Sequence, residues 1–386
     1  MSALAPLPAP EGDEPNGAPL DQEALIKEAR RRARRRRAAY AGAALVALGT
    51  ALGIFFSTGG GPPAPHPGRA RPGALPRAGA VEGTLRLPLN ETVQFTARGD
   101  TLFVLVVKQG RAHSISVVRL GHSGTTTSKK VPFELPGYLS DVSAGPDGIY
   151  AGTAVIKRFT SARDELIRID PSTLTIRARA FFPAAVATVA DRGWVWAALG
   201  DGRIVRLDPR TLAIEASRRL VSAAATAKSV ALVSKPAVGL GSVWALAGNA
   251  TQLELVRMDP ISLSVRSLTR IPTRGKLAQS LHQVQGDSGH VYLIGSAVVA
   301  VRANGKPISR PILVPGLANA AIHGSGLIGL TAEAPGLVLL DPRGRIEART
   351  SVADAGGQLA VSGREVWFLG NAGRGNGIVH VHVPGR

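Results

Sequence analysis

The chain has 386 residues, a formal net charge of +19 and no cysteine. The missing thiol excludes disulfides, thiolate metal sites, a cysteine nucleophile and a lipid anchor built on cysteine. Of the charge, +2 falls on residues 1–37 and +17 on the remainder, which reflects either Arg-rich codon usage or attraction to an anionic surface.

Residues 1–20 are rich in Pro, Gly and Ala without apolar periodicity, so they read as a disordered lead-in to a cytoplasmic tail, residues 1–37. The tail ends in a basic juxtamembrane cluster, Arg30 to Arg32 and Arg34 to Arg37. Ala38 to Ser57 follows as twenty residues without a charge. A helix of that length spans roughly 30 Å, the hydrocarbon thickness of a bilayer. Its strong apolar residues, Leu45, Val46, Leu48, Leu52, Ile54, Phe55 and Phe56, supply about −2 to −4 kcal/mol, so insertion is favourable but not strongly so. Arginines before the segment and no charge directly after it place the N-terminus in the cytoplasm and the bulk of the chain outside. A cleaved signal peptide has a shorter apolar region behind a shorter leader, so an uncleaved signal-anchor is the better reading. Gly49-x-x-x-Gly53 matches a helix-dimerisation pattern, but so Ala- and Gly-rich a helix produces it by chance. Residues 58–80 are Gly- and Pro-rich and read as a semi-rigid spacer.

Residues 81–386 carry a repeated pair of short strands with turn residues between them. The first strand follows a glycine, as in Gly148-Ile-Tyr-Ala, Gly193-Trp-Val-Trp-Ala, Gly241-Ser-Val-Trp-Ala, Gly289-His-Val-Tyr-Leu and Gly363-Arg-Glu-Val-Trp-Phe. The second ends in a turn, as in Leu166-Ile-Arg-Ile-Asp-Pro, Ile204-Val-Arg-Leu-Asp-Pro, Leu255-Val-Arg-Met-Asp-Pro and Val338-Leu-Leu-Asp-Pro. Between Asp259 and Asp341 one member is missing, and Val299-Ala-Val-Arg-Ala-Asn-Gly fills it with Arg302 in the Asp place. Weaker copies stand at Val117-Val-Arg-Leu and Val379-His-Val-His-Val-Pro. Seven units about 44 residues apart fit propeller blades. Asp-Pro suits a tight turn. Alternation along each strand is expected to bury one face against the next blade and leave the other polar. The last unit supplies about three strands, so Gly83-Thr-Leu-Arg-Leu-Pro-Leu is expected to be its outer strand, closing the ring.

The Gly-x-Val-Trp-Ala strand followed by Arg-[Ile/Leu]-Asp-Pro-x-Thr-Leu resembles the repeat of virginiamycin B lyase-like and YVTN-type propellers. The resemblance covers most of residues 93–386 and is clear around Asp170, Asp208 and Asp259. It implies an all-β fold, a seven-bladed β-propeller of four-stranded blades, here placed after a single transmembrane helix. Many activities share that fold.

The lyase of that family uses acid–base residues and a divalent metal, but no catalytic motif matches here residue by residue. His380-x-His382 would place two imidazoles on one face of a strand, half of a metal site, yet no carboxylate lies nearby in sequence, so a polar surface strand is the better reading. No paired carboxylates, nucleophile elbow, phosphate loop or calcium ladder is present. Trp194, Trp196, Trp244 and Trp367 sit at repeated blade positions, where core is a better reading than a carbohydrate surface. No catalytic, cofactor or metal residue is therefore assigned. The function expected is a membrane-tethered binding or scaffolding module. Its partners are the bilayer through one helix and an anionic envelope polymer or another envelope protein, with no nucleic acid. The alternative is a lyase- or dehydrogenase-type enzyme with its site at the central channel mouth.

Overall fold

A computed structural model describes residues 73–74, 83–86 and, with short interruptions, 91–383. The expected membrane segment 38–57 and the tail before it lie outside the described residues. Among the described residues no helix is long and apolar enough to cross a membrane.

The described chain is all-β, and its strands form seven four-stranded blades. Blade 1 runs Glu91–Arg98, Thr101–Lys108, Ala112–Leu120 and the first half of Thr126–Gly145. That last strand is twenty residues long and serves twice. Its residues 126–137 pair with blade 1, and 138–145 become the inner strand of blade 2. Gly148–Lys157, Ser161–Ile169 and Ile176–Phe182 complete blade 2. Blade 3 is Val186–Asp191, Trp194–Leu199, Arg203–Leu207 and Ile214–Arg219. Blade 4 is Ala237–Gly239, Ser242–Asn249, Gln252–Met258 and Val265–Ile271, with Leu232–Val233 also paired to its second strand. Blade 5 is Gln283–Gly286, Val291–Ile294, Ala297–Val301 and Ile312–Leu313. Blade 6 is Leu317–His323, Gly326–Thr331, Gly336–Leu340 and Ile346–Ser351.

Blade 7 takes three strands from the end of the chain, Leu359–Ser362, Glu365–Asn371 and Asn376–His382. Its outer strand is Gly83–Arg86, antiparallel to the third with Gly83 opposite His380 and Arg86 opposite Gly377. The expected closure by an N-terminal strand is thus present. Within the stretch read as spacer, Gly73–Ala74 adds in parallel to the outer edge of blade 6.

The core is divided among the blade interfaces. Seven clusters of buried apolar side chains lie between consecutive blades, and the last joins Trp367 and Ile378 of blade 7 to Phe95, Leu102 and Val104 of blade 1. The ring is therefore closed by packing as well as by pairing. The expected alternation fails in the middle of the blades. Ala297–Val301 and Gly326–Thr331 are buried at every position, because a blade sandwiched between two neighbours has both faces of its second and third strands covered. Alternation survives in the outer strand Val265–Ile271.

The repeated motif has a physical reason beyond turn chemistry. In several blades the aromatic of the second strand or the Arg of the third donates to a carbonyl in the turn of the next blade, whereas Trp244 and Arg168 donate within their own blades, to Gly239 O and Asp147 O. Tyr150 Oη donates to Pro209 O at 3.3 Å, Trp196 Nε1 to Pro260 O at 3.0 Å and Tyr292 Oη to Pro342 O at 3.3 Å. Arg119 donates to Ser172 O at 3.3 Å, Arg206 to Ile261 O and Arg257 to Ala303 O. Burial pushes the Tyr150 hydroxyl up to about 12, which keeps it a donor at ordinary pH.

The Asp-Pro turns are wider than the tight turn expected. In three of them the Asp carboxylate accepts the backbone N–H groups two and three residues on, at 2.6–2.9 Å. The following Leu174, Leu212 and Leu263 are then driven into the left-handed region, with φ of 51, 62 and 57°. A non-glycine residue seldom sits there. Here the strain is offset by burial, since all three side chains are within 1% of full burial in the blade interfaces. The turns at Arg302 and Asp341 are one residue shorter and use Gly305 and Gly344 at φ of 82 and 81° instead.

These turns give stability a pH dependence. Backbone N–H groups, Thr173 first for Asp170 and Ser262 first for Asp259, hold both carboxyls at about 2, and Thr211 lowers Asp208. Carboxyls depressed from an unfolded value of about 3.9 stabilise fully above it, and the contribution is lost as pH falls through that value toward 2. Replacing Asp170, Asp208 and Asp259 together by Ala lowers stability at pH 7 and flattens its fall between pH 5 and pH 2. Denaturant unfolding at stepped pH checks this, and an unchanged slope would contradict it.

Candidate functional site

The seven inner strands line the central channel, the usual place for function in such a ring. Their polar side chains are largely spent on holding blades together. Asp141 of blade 2 accepts the Thr188 N–H of blade 3 at 2.6 Å and the Lys235 ammonium of blade 4 at 2.8 Å. Lys235 also donates to Val142 O at 3.1 Å, so one lysine reaches past blade 3 to tie blade 4 to blade 2. Behind this pair the buried hydroxyls of Ser143 and Thr188 lie 2.9 Å apart. Gln283 donates to Ala320 O between blades 5 and 6, and Gln358 Oε1 accepts the Phe95 N–H between blades 7 and 1. Ser143 and Thr188 are buried, so removing the Thr188 hydroxyl leaves that of Ser143 without its partner, at about 1–3 kcal/mol.

A cavity of about 380 Å³ opens along the inner strands of blades 3, 4 and 5. Asp191, Lys235, Gln283, Gln285 and Asp287 supply its polar wall, and Val189, Val238 and Val284 its apolar one. Two glycines let the strand ends meet here. A Cβ on Gly286 would stand 2.8 Å from Val238 O, and one on Gly239 2.9 Å from His290 O. Leu240 N donates to Asp287 O across the same contact at 2.8 Å. The Asp287 carboxylate caps its own hairpin through the N–H groups of Gly289 and His290, both at 2.7 Å. The cavity thus offers polar groups for recognition, but the Asp287 carboxylate already holds backbone and the Lys235 ammonium already holds Asp141.

The histidine pair is not a bare surface strand. The structure brings Glu365 from the neighbouring strand to both imidazoles, 2.5 Å from His380 Nε2 and 2.8 Å from His382 Nδ1. Trp367 stacks on His380 at 5.0 Å with planes 7° apart. Burial works to raise the Glu365 carboxyl, but hydrogen bonds from His382 and His380 outweigh it and hold the group below its usual range. In register, His380 occupies the place of Arg206 and Arg257, and His382 the place of the turn Asp. The three side chains form a clasp in which each carboxylate oxygen meets one imidazole. Among the described residues no group of three or more His, Asp or Glu side chains is arranged to hold a metal ion. Sequence reading missed Glu365 because it lies across a hairpin, although Gly363-Arg-Glu-Val-Trp already marked its strand.

The tryptophans divide. Trp196, Trp244 and Trp367 are core, whereas Trp194 is half-buried beneath the Arg206 guanidinium, 4.5 Å from its ring. None lines the cavity.

No protein-family model and no curated protein matches the chain. Among solved structures it is similar to the β-propeller domain of Cps50 (Swd1) from Myceliophteria thermophila. The two are 15% identical with a TM-score of 0.53, over 78% of this chain and 99% of that one. It is also similar to BamB from Moraxella catarrhalis, 13% identical with a TM-score of 0.48, over 78% of this chain and 100% of that one. At 15% identity the first of these likenesses carries the propeller fold and nothing of activity or partner.

Proposed function

We propose that the chain is a membrane-tethered binding or scaffolding module, its propeller held outside the membrane against an envelope component or an envelope protein. One observation carries the choice of binding over catalysis. Several polar side chains of the channel are committed to joining blades, Asp141 to Thr188 and Lys235 above all. An enzyme at the channel mouth needs an acid or base with a lone pair or proton to spare. The cavity between blades 3 and 5 supplies instead a recess of mixed polarity, the ordinary form of a recognition site. Tethering rests on the uncharged run 38–57 and the arginines before it. A charge of +17 beyond residue 37 favours an anionic partner.

The full chain, purified into neutral nanodiscs, is expected to bind isolated envelope fragments, with affinity falling as salt rises past about 0.1 M, where the Debye length is near 10 Å. No binding at low ionic strength, or binding indifferent to salt, contradicts the proposal. Protease treatment of the fragments separates a protein partner from a polymer.

A further inference from the structure

The outer rim of blades 4 and 5 differs from the rest of the described surface. Five of the seven large apolar side chains exposed among the described residues are gathered there: Ile261, Val265, Leu268, Ile308 and Leu313. Leu268 is 54% exposed and Leu313 66%. The segments 261–271 and 302–313 that carry them also hold five Arg or Lys and no carboxylate. The two blades present one surface, because the turn of blade 5 lies against the outer strand of blade 4. A Cβ on Gly305 would stand 2.6 Å from Thr269 Oγ1.

That outer strand, Val265–Ile271, pairs on one side with Gln252–Met258. Among the described residues no strand takes its other side. An open edge presents unpaired N–H and C=O groups, and proteins normally blunt it. Here the centre of the edge is an exposed leucine, flanked by Arg266 and Arg270 on the same face of the strand. Arg266 is held by Asp259, and Arg270 is exposed, in register with Glu254 of the third strand. Blade 6 shows that an outer edge in this ring takes an added strand, since Gly73–Ala74 pairs there in parallel.

We infer that the outer edge of blade 4 is a docking site for an extended acidic segment of a partner protein, added as a fifth strand. The backbone supplies affinity, and the alternating Arg and Leu side chains select acidic and apolar residues opposite them. A second copy of this chain is disfavoured, because antiparallel pairing of two such edges sets arginine near arginine. A lipid surface would meet the apolar and cationic groups but leave the backbone edge without a partner. This inference rests on the binding-module reading and names its partner.

The probe is an end-blocked nine-residue peptide alternating glutamate with valine, added to the full chain in neutral nanodiscs. It is expected to bind, and to slow hydrogen exchange at residues 265–271. Leu268→Glu with Arg270→Glu weakens binding at least tenfold with an unchanged melting temperature, since both positions are exposed. Ile308→Glu on the neighbouring blade weakens it less, and a lysine–valine peptide prefers the double variant. Absence of peptide binding, equal binding by the double variant, or binding confined to phosphatidylglycerol vesicles overturns the assignment. Should the double variant still bind envelope fragments like the wild type, the edge is wrong while the module stands.

Discussion

Deleting residues 81–89 lowers the melting temperature of the whole propeller in a single cooperative transition. The deleted strand is the outer strand of blade 7, and the other three come from the far end of the chain. Without it, Asn376–His382 loses its outer partner along Gly377 to His380. Ile378, Val379 and Val381, all nearly fully buried, then sit in a frayed strand at the seam with blades 6 and 1. Four residues of lost pairing at about 1 kcal/mol per hydrogen bond, with some exposed apolar surface, come to about 3–5 kcal/mol. For a domain of this size the shift is on the order of 10 °C. The transition stays cooperative because each blade is packed on two others, so the ring opens as a unit. Scanning calorimetry reads it directly, and an unchanged melting temperature would show that the last blade closes without the N-terminal strand.

Trp196→Ala costs about 3–5 kcal/mol of stability, while Trp194→Ala, two residues away, costs about 1 kcal/mol. Trp196 is 1% exposed and fills the seam between blades 3 and 4 beside Val243, Val256 and Leu263. Its indole N–H also latches the turn of blade 4 at Pro260 O. Truncation leaves both a cavity and an unmatched carbonyl. Trp194 has lost less water and chiefly supports the Arg206 guanidinium. Trp196→Phe separates the two contributions, since it keeps most of the volume and loses the latch, for about 1–2 kcal/mol. Equal costs at positions 194 and 196 in denaturant unfolding would contradict this division of roles.

The propeller was legible in the sequence because its repeat is a packing unit. The Trp and Arg of Gly193-Trp-Val-Trp-Ala and Ile204-Val-Arg-Leu-Asp-Pro recur because they latch one blade to the turn of the next, so the pattern names the architecture. Arg302 in the Asp place of blade 5 was recognisable for the same reason. The two-sided burial of the middle strands was not, because alternation is a rule for a sheet with one wet face, and Ala297–Val301 has none. Leu174, Leu212 and Leu263 in the left-handed region also left no trace, since leucine there is read as ordinary core. The candidate site was less legible still. Asp141, Thr188 and Lys235 are separated by 47 and 94 residues and meet only through the ring. Glu365 joins His380 and His382 only across a hairpin.

Because the chain has no cysteine, its topology can be read with one introduced thiol at a time. In spheroplasts, a membrane-impermeant maleimide is expected to label Ser172→Cys, in an exposed turn of blade 2, and to spare Ala24→Cys in the N-terminal tail until the membrane is opened. Labelling of Ala24→Cys alone in intact spheroplasts, or of neither position before permeabilisation, would contradict a propeller held outside the membrane.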